Sequence, residues 1–324
     1  MEAPPQVRKI LDQIYRRTPD ALGIAIGIHF GNLPPSAAGN REDVARYAAD
    51  LVRRLQPRVR PNPSTAPRAP LRMVSASCYL PDHDEDSHFF HDVCGVIGLA
   101  DGVGEWRAKG VDAAAFSRGL MANAFSEVAA FELGKPICPY SILDRAYQRT
   151  AAPGTPGACT AVIVSLAGRA LKWAYVGDSG FAVFRDGKLV HRSQPQQRYF
   201  NCPFQLSALE GPTDTAVGEV GVEEGDVLVV ASDGLFDNVF DCNLEWIVQS
   251  GTVLGCTPEE MAGVMAGKAH NISLNSLKDS PFTLASRESG RDRTGGKRDD
   301  ITVVVAFIES QDSGYFGHYF PFFA

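Results

Sequence analysis

The stretch VIGLADGVGEW, residues 96–106, decides how this chain is interpreted. An apolar run with the length of a strand buried on both faces ends at Asp101, which stands between small residues. A single Asp in such a place usually just ends a strand in a turn. Here the arrangement recurs at other predicted strands, next to Asp178, Asp233, Asp299 and Asp300. The recurrence predicts that these carboxylates meet at one site.

Length and composition predict a globular protein with one large domain and appendages, since 324 residues with 44% hydrophobic content can bury a sizeable core. The longest apolar candidate, ALGIAIGIHF at 21–30, has about half the length of a membrane span, so we expect no span. The seven cysteines are scattered without CxxC spacing. They predict neither a disulfide framework nor a zinc site, and they favour a reducing compartment.

Charge is divided unevenly along the chain. Residues 1–70 hold 11 Lys and Arg against 6 Asp and Glu, a balance of +5, so the remaining residues hold 20 against 32, a balance of −12. An acidic body without a basic stripe predicts that nucleic acid is not a partner. The same acidic body is compatible with binding cations.

Three parts are predicted along the chain. Residues 1–70 form a basic leader or extension, in which VRKILDQIYRR and DVARYAADLVRRL have helical spacing and PNPSTAPRAP is a Pro-rich linker. An arginine-rich amphipathic leader is typical of a mitochondrial transit segment, although its acidic residues are unusual for one; a partly helical extension is the alternative. Residues 71–310 form the main domain. The aromatic tail, 311–324, would dock on the body or bind a partner.

The main domain is predicted to be α+β. Runs of hairpin-linked strands with grouped helices indicate antiparallel sheets flanked by helices, not a doubly wound parallel sheet. Asp186-Gly187, between FAVFR and KLVHR, predicts a tight type I′ hairpin. Helices are predicted at 112–132 and 257–275, and the second opens with a capping box of Thr257 and Glu260.

Clustered carboxylates repel one another unless a cation neutralises them, so the strand-end acids predict a metal site. The candidate ligands are all oxygen donors, with no His or Cys in the motifs. Such a set favours a hard ion, Mg²⁺ or Mn²⁺, over Zn²⁺. Glycines after Asp101 and Asp233 would let the backbone approach the ion, and Gly102 could offer its carbonyl.

The acidic run DHDEDS, residues 82–87, leaves two interpretations open. It is not an EF-hand loop, because Ser87 and Val93 stand where that loop requires Gly and Glu. It is either a solvated acidic turn or, through Glu85 and Asp86, a part of the metal cluster.

Five segments in order resemble the metal-dependent type 2C serine/threonine protein phosphatases. They are ED at 85–86, ADGVG at 100–104, VGDSG at 176–180, ASDGLFDN at 231–238 and RDDITVVV at 298–305. One Asp-Gly pair would be weak support, but five ordered motifs spread over residues 71–308 are specific. The stretch HRSQPQQRYFNCPFQL at 191–206, with the short Gly-Val-Gly after Asp101, further resembles a mitochondrial branch linked to coenzyme Q biosynthesis.

The resemblance implies a four-layer αββα sandwich with a two-metal centre between its two antiparallel sheets. It implies that Asp101 bridges both ions, that Glu85 and the Gly102 carbonyl bind one of them, and that Asp233 and Asp299 bind the other. It further implies that Asp86 orients a water held by the ions. A weaker third ion would be bound by Asp178 and Asp237, with Asp233. A water activated by two Mn²⁺ or Mg²⁺ ions would attack phosphoserine or phosphothreonine directly. The chain has no Cys-x5-Arg loop or DxDGT-like motif, which agrees with the absence of a covalent phosphoenzyme.

The resemblance also sets expectations about partners and location. We expect phosphorylated proteins as substrates, a monomer, and a mitochondrial protein, otherwise a cytoplasmic one. Two residues depart from the pattern of many eukaryotic members: Val103 replaces a general-acid histidine, and Pro81 replaces an arginine. The candidates for gripping phosphate are Arg72, Arg198 and Arg298. The alternative function is a phosphatase-fold scaffold without turnover, which the intact acidic motifs disfavour.

Overall fold

The computed structural model describes residues 4–17, 69–132 and 135–311. Its strands are β1 (Leu71–Leu80), β2 (Ser87–His91), β3 (Val96–Ala100), β4 (Ala158–Cys159), β5 (Ala161–Ala167), β6 (Ala170–Val176), β7 (Gly180–Arg185), β8 (Lys188–Arg192), β9 (Gln197–Tyr199), β10 (Cys202–Pro203), β11 (Leu206–Ser207), β12 (Ala216–Gly221), β13 (Val227–Ala231) and β14 (Ile301–Ser310). Its α-helices are α1 (Pro5–Arg17), α2 (Ala114–Ala129), α3 (Pro139–Ala151), α4 (Asp233–Phe236), α5 (Asp241–Val253), α6 (Pro258–Ser273) and α7 (Pro281–Glu288). Short 3₁₀ helices lie at Gly104–Lys109 and Pro212–Asp214.

Two five-stranded antiparallel sheets form the centre of the molecule. Sheet 1 has the order β1-β14-β13-β7-β8, and sheet 2 has the order β12-β6-β5-β3-β2. Helices α5 and α6 pack on sheet 1, while α2 and α3 pack on sheet 2. The predicted αββα sandwich is therefore confirmed.

The apolar strands are buried on both faces because each sheet lies between the other sheet and a helical layer. In β13, Val227, Val229 and Ala231 face the helical side, whereas Leu228 and Val230 lie in the core between the sheets. Successive side chains of a strand point to opposite faces, so a strand in this position must be apolar at every residue. This explains the unbroken runs seen in the sequence.

The sandwich brings the ends of several strands to one edge. The chain crosses from sheet 1 to sheet 2 between β1 and β2, and back between β6 and β7. Leu80 at the end of β1 pairs with Ile301 at the start of β14, and Ala231 at the end of β13 pairs with Val303. Ala100 at the end of β3 pairs with Ser87 at the start of β2. We call the loops that leave these ends the acidic edge, because they carry the Asp residues of the motifs.

The local predictions hold where turn and cap chemistry is specific. Asp186 and Gly187 have φ of 50° and 74°, as the type I′ turn requires. Thr257 and Glu260 form the complete capping box. The predicted helices 112–132 and 257–275 are present but shorter, as α2 and α6. The segment DVARYAADLVRRL, most of the Pro-rich linker and nearly all of the aromatic tail lie outside the described residues.

The N-terminal helix packs on the helical layer of sheet 1. Val7 and Ile10 of α1 are buried against Gly263 and Gly267 of α6. A Cβ atom at 263 would lie 2.4 Å from Ile10 Cδ1, and one at 267 would lie 2.5 Å from Val7 Cγ1. Residues four apart share a helix face, so these two glycines form the groove that receives α1. Across the described ranges, no helix is both long and apolar enough to cross a membrane.

Candidate active site

Several predicted site residues lie close enough together at the acidic edge to shift the pKa of Asp101. The pKa of Asp101 is raised well above its ordinary value by withdrawal from water and by the nearby carboxylates of Asp86, Asp233, Asp299 and Asp178. Each of these acids lies in a different loop or strand end. Repulsion of this kind requires short separations, so the recurrence noticed in the sequence reflects one cluster in space.

In two Asp-Gly pairs, the close packing of neighbouring loops requires the glycine. A Cβ at Gly102 would lie 2.7 Å from the Ala113 carbonyl oxygen and 2.8 Å from the Glu85 carbonyl oxygen. A Cβ at Gly234 would lie 2.0 Å from the carbonyl oxygen of Asp300. No side chain fits at either place without movement of backbone. Each glycine thus admits a loop that carries another acid of the cluster.

Asp300 holds the acidic run 82–87 in place. Its carboxylate accepts hydrogen bonds from the backbone N–H groups of five consecutive residues, 82–86, and from the hydroxyl of Tyr79. Burial alone would raise the pKa of Asp300, yet that pKa is lowered because these N–H groups stabilise the charged form. The run is therefore neither an EF-hand loop nor a free solvated turn: it wraps a buried carboxylate.

Asp86 is fixed through one oxygen and free at the other. Its Oδ2 accepts a hydrogen bond of 2.7 Å from the Thr302 hydroxyl, and its Oδ1 is buried without a hydrogen-bond partner. Asp178 and Asp233 each have one oxygen in the same condition. Burial, followed by neighbouring acids, raises the pKa of Asp86 well above its ordinary value. Buried oxygens of this kind are suited to bind a cation or a water.

The ammonium of Lys297 lies among three of the carboxylates. Its Nζ contacts Asp233, and it is 3.0 Å from Asp237 Oδ2 and 3.1 Å from Asp299 Oδ2. Burial by itself would lower the pKa of Lys297, but the three acids raise it well above its ordinary value. For Asp237 and Asp299, burial outweighs the contact with Lys297, and the pKa of each is raised to about 6.

Asp178 lies at the edge of the cluster with a neutral partner. Its Oδ2 accepts a hydrogen bond of 2.8 Å from the side-chain amide of Gln197. Gln197 belongs to β9, inside the 191–206 segment that the sequence singled out. Burial, then Asp233 and Asp237, raise the pKa of Asp178 to about 7.

Of the three arginine candidates, the structure places Arg72 away from the acidic edge. Arg72 pairs with Glu309 near the start of β1, about 26 Å along the strand from the acidic edge. Arg198 pairs with Glu210 at 3.0 Å, and Arg298 pairs with Asp82 at 2.6 Å. Arg107, which sequence reasoning missed, has its Nε 2.9 Å from Glu85 Oε1 and a side chain 46% exposed.

The donor set suits a divalent cation. Within the described ranges, no group of three or more Asp, Glu, His or Cys side chains is already arranged as the ligand set of one ion; three carboxylates contact Lys297 instead. Two features nevertheless fit an ion. The donors are all oxygens, and several of them are buried and unpaired. The cluster also already contacts one positive charge, the ammonium of Lys297.

Sequence reasoning missed the residues that support the acids. Asp300 was recognised only as a strand-end acid, and Thr302, Lys297, Asn238 and Arg107 were not singled out. Gly295-Gly296, just before Lys297, was the available signal, because paired glycines often mark a close approach of backbone.

Several known proteins resemble this chain in sequence and in fold. The family model described as stage II sporulation protein E (SpoIIE) matches residues 94–308. The chain is 52% identical over 317 residues to protein phosphatase 2C 24 of Oryza sativa subsp. japonica. The alignment covers 95% of this chain and 100% of that relative. The solved structure of the photosystem II phosphatase PBCP is 33% identical with a TM-score of 0.63, covering 73% of this chain and 99% of that one.

A second solved structure shares the fold. It is the catalytic domain of the serine/threonine phosphatase PstP in complex with two manganese ions, with 22% identity, a TM-score of 0.50, and coverage of 74% of this chain and 100% of that one. This chain belongs to the protein phosphatase 2C family of serine/threonine protein phosphatases.

Proposed function

We propose that this protein hydrolyses phosphoserine and phosphothreonine in phosphorylated proteins by direct attack of water, with two Mn²⁺ or Mg²⁺ ions as cofactors. The observation that carries the proposal is the set of unpaired, buried oxygens on Asp86, Asp178 and Asp233 at one edge of the sandwich. Such oxygens are costly unless a cation or a water meets them. A divalent cation is the partner that this all-oxygen cluster suits best.

The residues that the motifs indicate would hold the ions: Glu85 and the Gly102 carbonyl would be ligands of one, Asp233 and Asp299 would be ligands of the other, and Asp101 would be a ligand of both. When bound, they supply Lewis acidity, which lowers the pKa of water and offsets the charge of the phosphoryl group. Asp300 serves this arrangement indirectly, because it fixes the backbone from which Glu85 projects.

Asp86 is positioned to orient the attacking water. Thr302 fixes one carboxylate oxygen, so the other is left to accept a hydrogen bond from the water in a defined direction. In-line attack on phosphorus depends on such positioning, because phosphoryl transfer needs little covalent chemistry from the protein. Neither a cysteine nor a histidine is needed as a nucleophile in this scheme.

Two arginines beside the acidic edge are suited to bind the substrate phosphate. Arg107 contacts Glu85, and Arg298 is next to Asp299 in sequence and contacts Asp82; their side chains are 46% and 64% exposed. A guanidinium can donate two parallel hydrogen bonds to a phosphate. Exposed guanidinium groups can exchange a carboxylate partner for a phosphate when substrate arrives.

The test is phosphate release from a phosphoserine or phosphothreonine peptide by the purified full chain, with Mn²⁺, with Mg²⁺ and after thorough chelation. We expect turnover with either ion and none in EDTA. Full turnover in the chelated sample would contradict the two-ion proposal. A scaffold would instead bind the phosphopeptide and release no phosphate under any of these conditions.

We propose that the protein is mitochondrial. We also propose that it belongs to the branch of the family linked to coenzyme Q biosynthesis. The support is the basic balance of residues 1–70 and the 191–206 segment, whose Gln197 contacts Asp178. Import of the full chain into isolated mitochondria, compared with a form lacking residues 1–70, tests the location. Failure of the full chain to enter the mitochondria would overturn it. Processing beyond Arg17 would remove α1, including the buried Val7 and Ile10.

We also propose that the enzyme acts as a monomer. The support is that helices pack on both sheets, so neither sheet needs a second copy to bury its apolar residues. Light scattering across a tenfold range of protein concentration tests this. A mass of twice the single chain would contradict it.

A further inference from the structure

We propose that Lys297 supplies, as a tethered ammonium, the positive charge at the peripheral carboxylates Asp233 and Asp237, in place of a third divalent ion. This inference rests on the proposed two-ion function and concerns how many ions the cluster accepts. The positions predicted for a third ion were Asp178, Asp237 and Asp233. Two of those three contact Lys297.

The contacts of Lys297 are those of a counter-ion. Its Nζ reaches Asp233, Asp237 and Asp299, and its side chain is only 17% exposed. Among the described residues, no other Lys or Arg makes an ion pair with these three acids. Carboxylates so close together require positive charge, and Lys297 provides it without an ion from solution.

The backbone of Lys297 is held in a defined position. The buried side chain of Asn238 donates to the Lys297 carbonyl oxygen at 2.9 Å and accepts from the Lys297 N–H at 3.0 Å. Before it, Gly295 has φ of 85°, and a Cβ at Gly296 would lie 2.2 Å from the Ile272 carbonyl oxygen. The loop therefore passes tightly over the end of α6. A lysine on so constrained a backbone is aimed at the acids by the fold.

We expect Lys297 to limit the number of divalent ions that the cluster binds. An ammonium beside Asp233 and Asp237 repels a further dication and already offers hydrogen bonds to the oxygens that would bind it. Asp237 is the residue that distinguishes a peripheral ion from a catalytic one. Asp233 and Asp299 are also predicted ligands of a catalytic ion, whereas Asp237 is not. We expect the ammonium to keep its contact with Asp237 when the two catalytic ions are bound, because Asp237 is a predicted ligand of neither.

The test measures bound Mn²⁺ per chain by equilibrium dialysis, up to millimolar free ion. It compares the wild type with Lys297→Met, which removes the charge, and Lys297→Arg, which keeps it. Lys278→Met, at an exposed lysine, is the matched control. We expect two ions per chain for wild type, Lys297→Arg and Lys278→Met, and three for Lys297→Met.

Other results overturn the proposal in distinguishable ways. If Lys297→Met binds two ions, but more tightly than the wild type does, Lys297 competes with a catalytic ion. If it binds two ions with unchanged affinity, the lysine has only a structural role. If Lys297→Met does not fold, Lys297→Gln replaces it in both experiments, because it also removes the charge but can still donate hydrogen bonds. A third ion bound by the wild type contradicts the inference in either case. Fewer than two ions in the wild type would overturn the proposed function instead.

A second readout does not depend on ions or activity. In EDTA, we expect Lys297→Met to melt on the order of 5 °C below the wild type, since it leaves clustered carboxylates without their cation. Lys297→Arg should melt close to the wild type. Equal melting temperatures for Lys297→Met and the wild type in EDTA would show that the ammonium does not neutralise the cluster.

Discussion

The carboxylate of Asp300 accepts a hydrogen bond from the backbone N–H of Glu85, a residue 215 positions earlier in the chain. It also accepts from the neighbouring N–H groups of the same loop. The contact joins the start of β14 to the crossing between the two sheets. Two predicted functional acids, Glu85 and Asp86, therefore depend for their position on a third acid that has no predicted ligand role.

Asp300→Ala should destabilise the protein and weaken its affinity for Mn²⁺. Loss of several charge-assisted hydrogen bonds should lower the free energy of unfolding by about 3 kcal/mol, because the loop N–H groups lose a buried acceptor. Urea unfolding in EDTA gives the stability, and Mn²⁺ titration gives the affinity. Unchanged values for both would show that Asp300 does not hold the loop.

Asp101→Asn should abolish most turnover and leave the fold intact. The substitution keeps the shape but removes the charge predicted to lie between two dications, so kcat should fall by about three orders of magnitude. The metal-free variant should melt no lower than the metal-free wild type, since one repelling carboxylate is gone. The measurements are kcat on a phosphopeptide at saturating Mn²⁺ and a melting curve in EDTA.

Asp178→Asn is the contrast for that experiment. Asp178 lies at the edge of the cluster beside Gln197, so its loss should cost much less turnover than the loss of Asp101. If Asp101→Asn retains a tenth of the wild-type kcat, Asp101 is only a turn residue and the site assignment is wrong.

Gly234→Ala should be destabilising by about 2 kcal/mol or more, because the new methyl group would overlap the Asp300 carbonyl oxygen and backbone would have to move. Gly221→Ala in β12 is the matched control: it has open space around its Cβ position and an ordinary φ. Chemical denaturation of both variants checks the difference. Equal stability would mean that the two loops can separate without cost.

The stability of the protein should depend on pH through His88. This residue of β2 contacts the Ser77 hydroxyl of β1 at 2.9 Å, and burial lowers its pKa. The unfolded chain, with a pKa of about 6.5, then binds a proton more readily than the folded one. The contribution to stability is thus present above pH of about 6.5 and is lost as pH falls from there to the folded pKa. His88→Gln should reduce this loss of stability between neutral and mildly acidic pH.

Val7→Asp should lower the melting temperature by releasing α1 from α6. Burying an unpaired carboxylate against Gly267 is costly, on the order of 3 kcal/mol, and the helix would leave instead. Gln6→Asp, at an exposed neighbour on the same helix, is the control and should have little effect. Equal melting temperatures for the two variants would show that α1 adds nothing to the stability of the domain.

Much of this protein was determined by local sequence. The apolar runs at β3, β13 and β14, the turn at Asp186-Gly187 and the cap at Thr257 follow from periodicity and from the conformations that short segments prefer. The choice of a hard cation also follows locally, because carboxylate-rich motifs offer only oxygen donors. Five motifs in order were then enough to indicate the family.

Only the tertiary structure decided how the acids differ in role. Asp299 and Asp300 are adjacent in sequence, yet one contacts Lys297 and the other accepts five backbone N–H groups. Neighbouring residues at a strand end point in different directions, so their partners depend on which loops the sheet order brings beside them. Those loops come from distant parts of the chain, and their approach depends on close backbone packing at Gly102 and Gly234, which no local preference encodes.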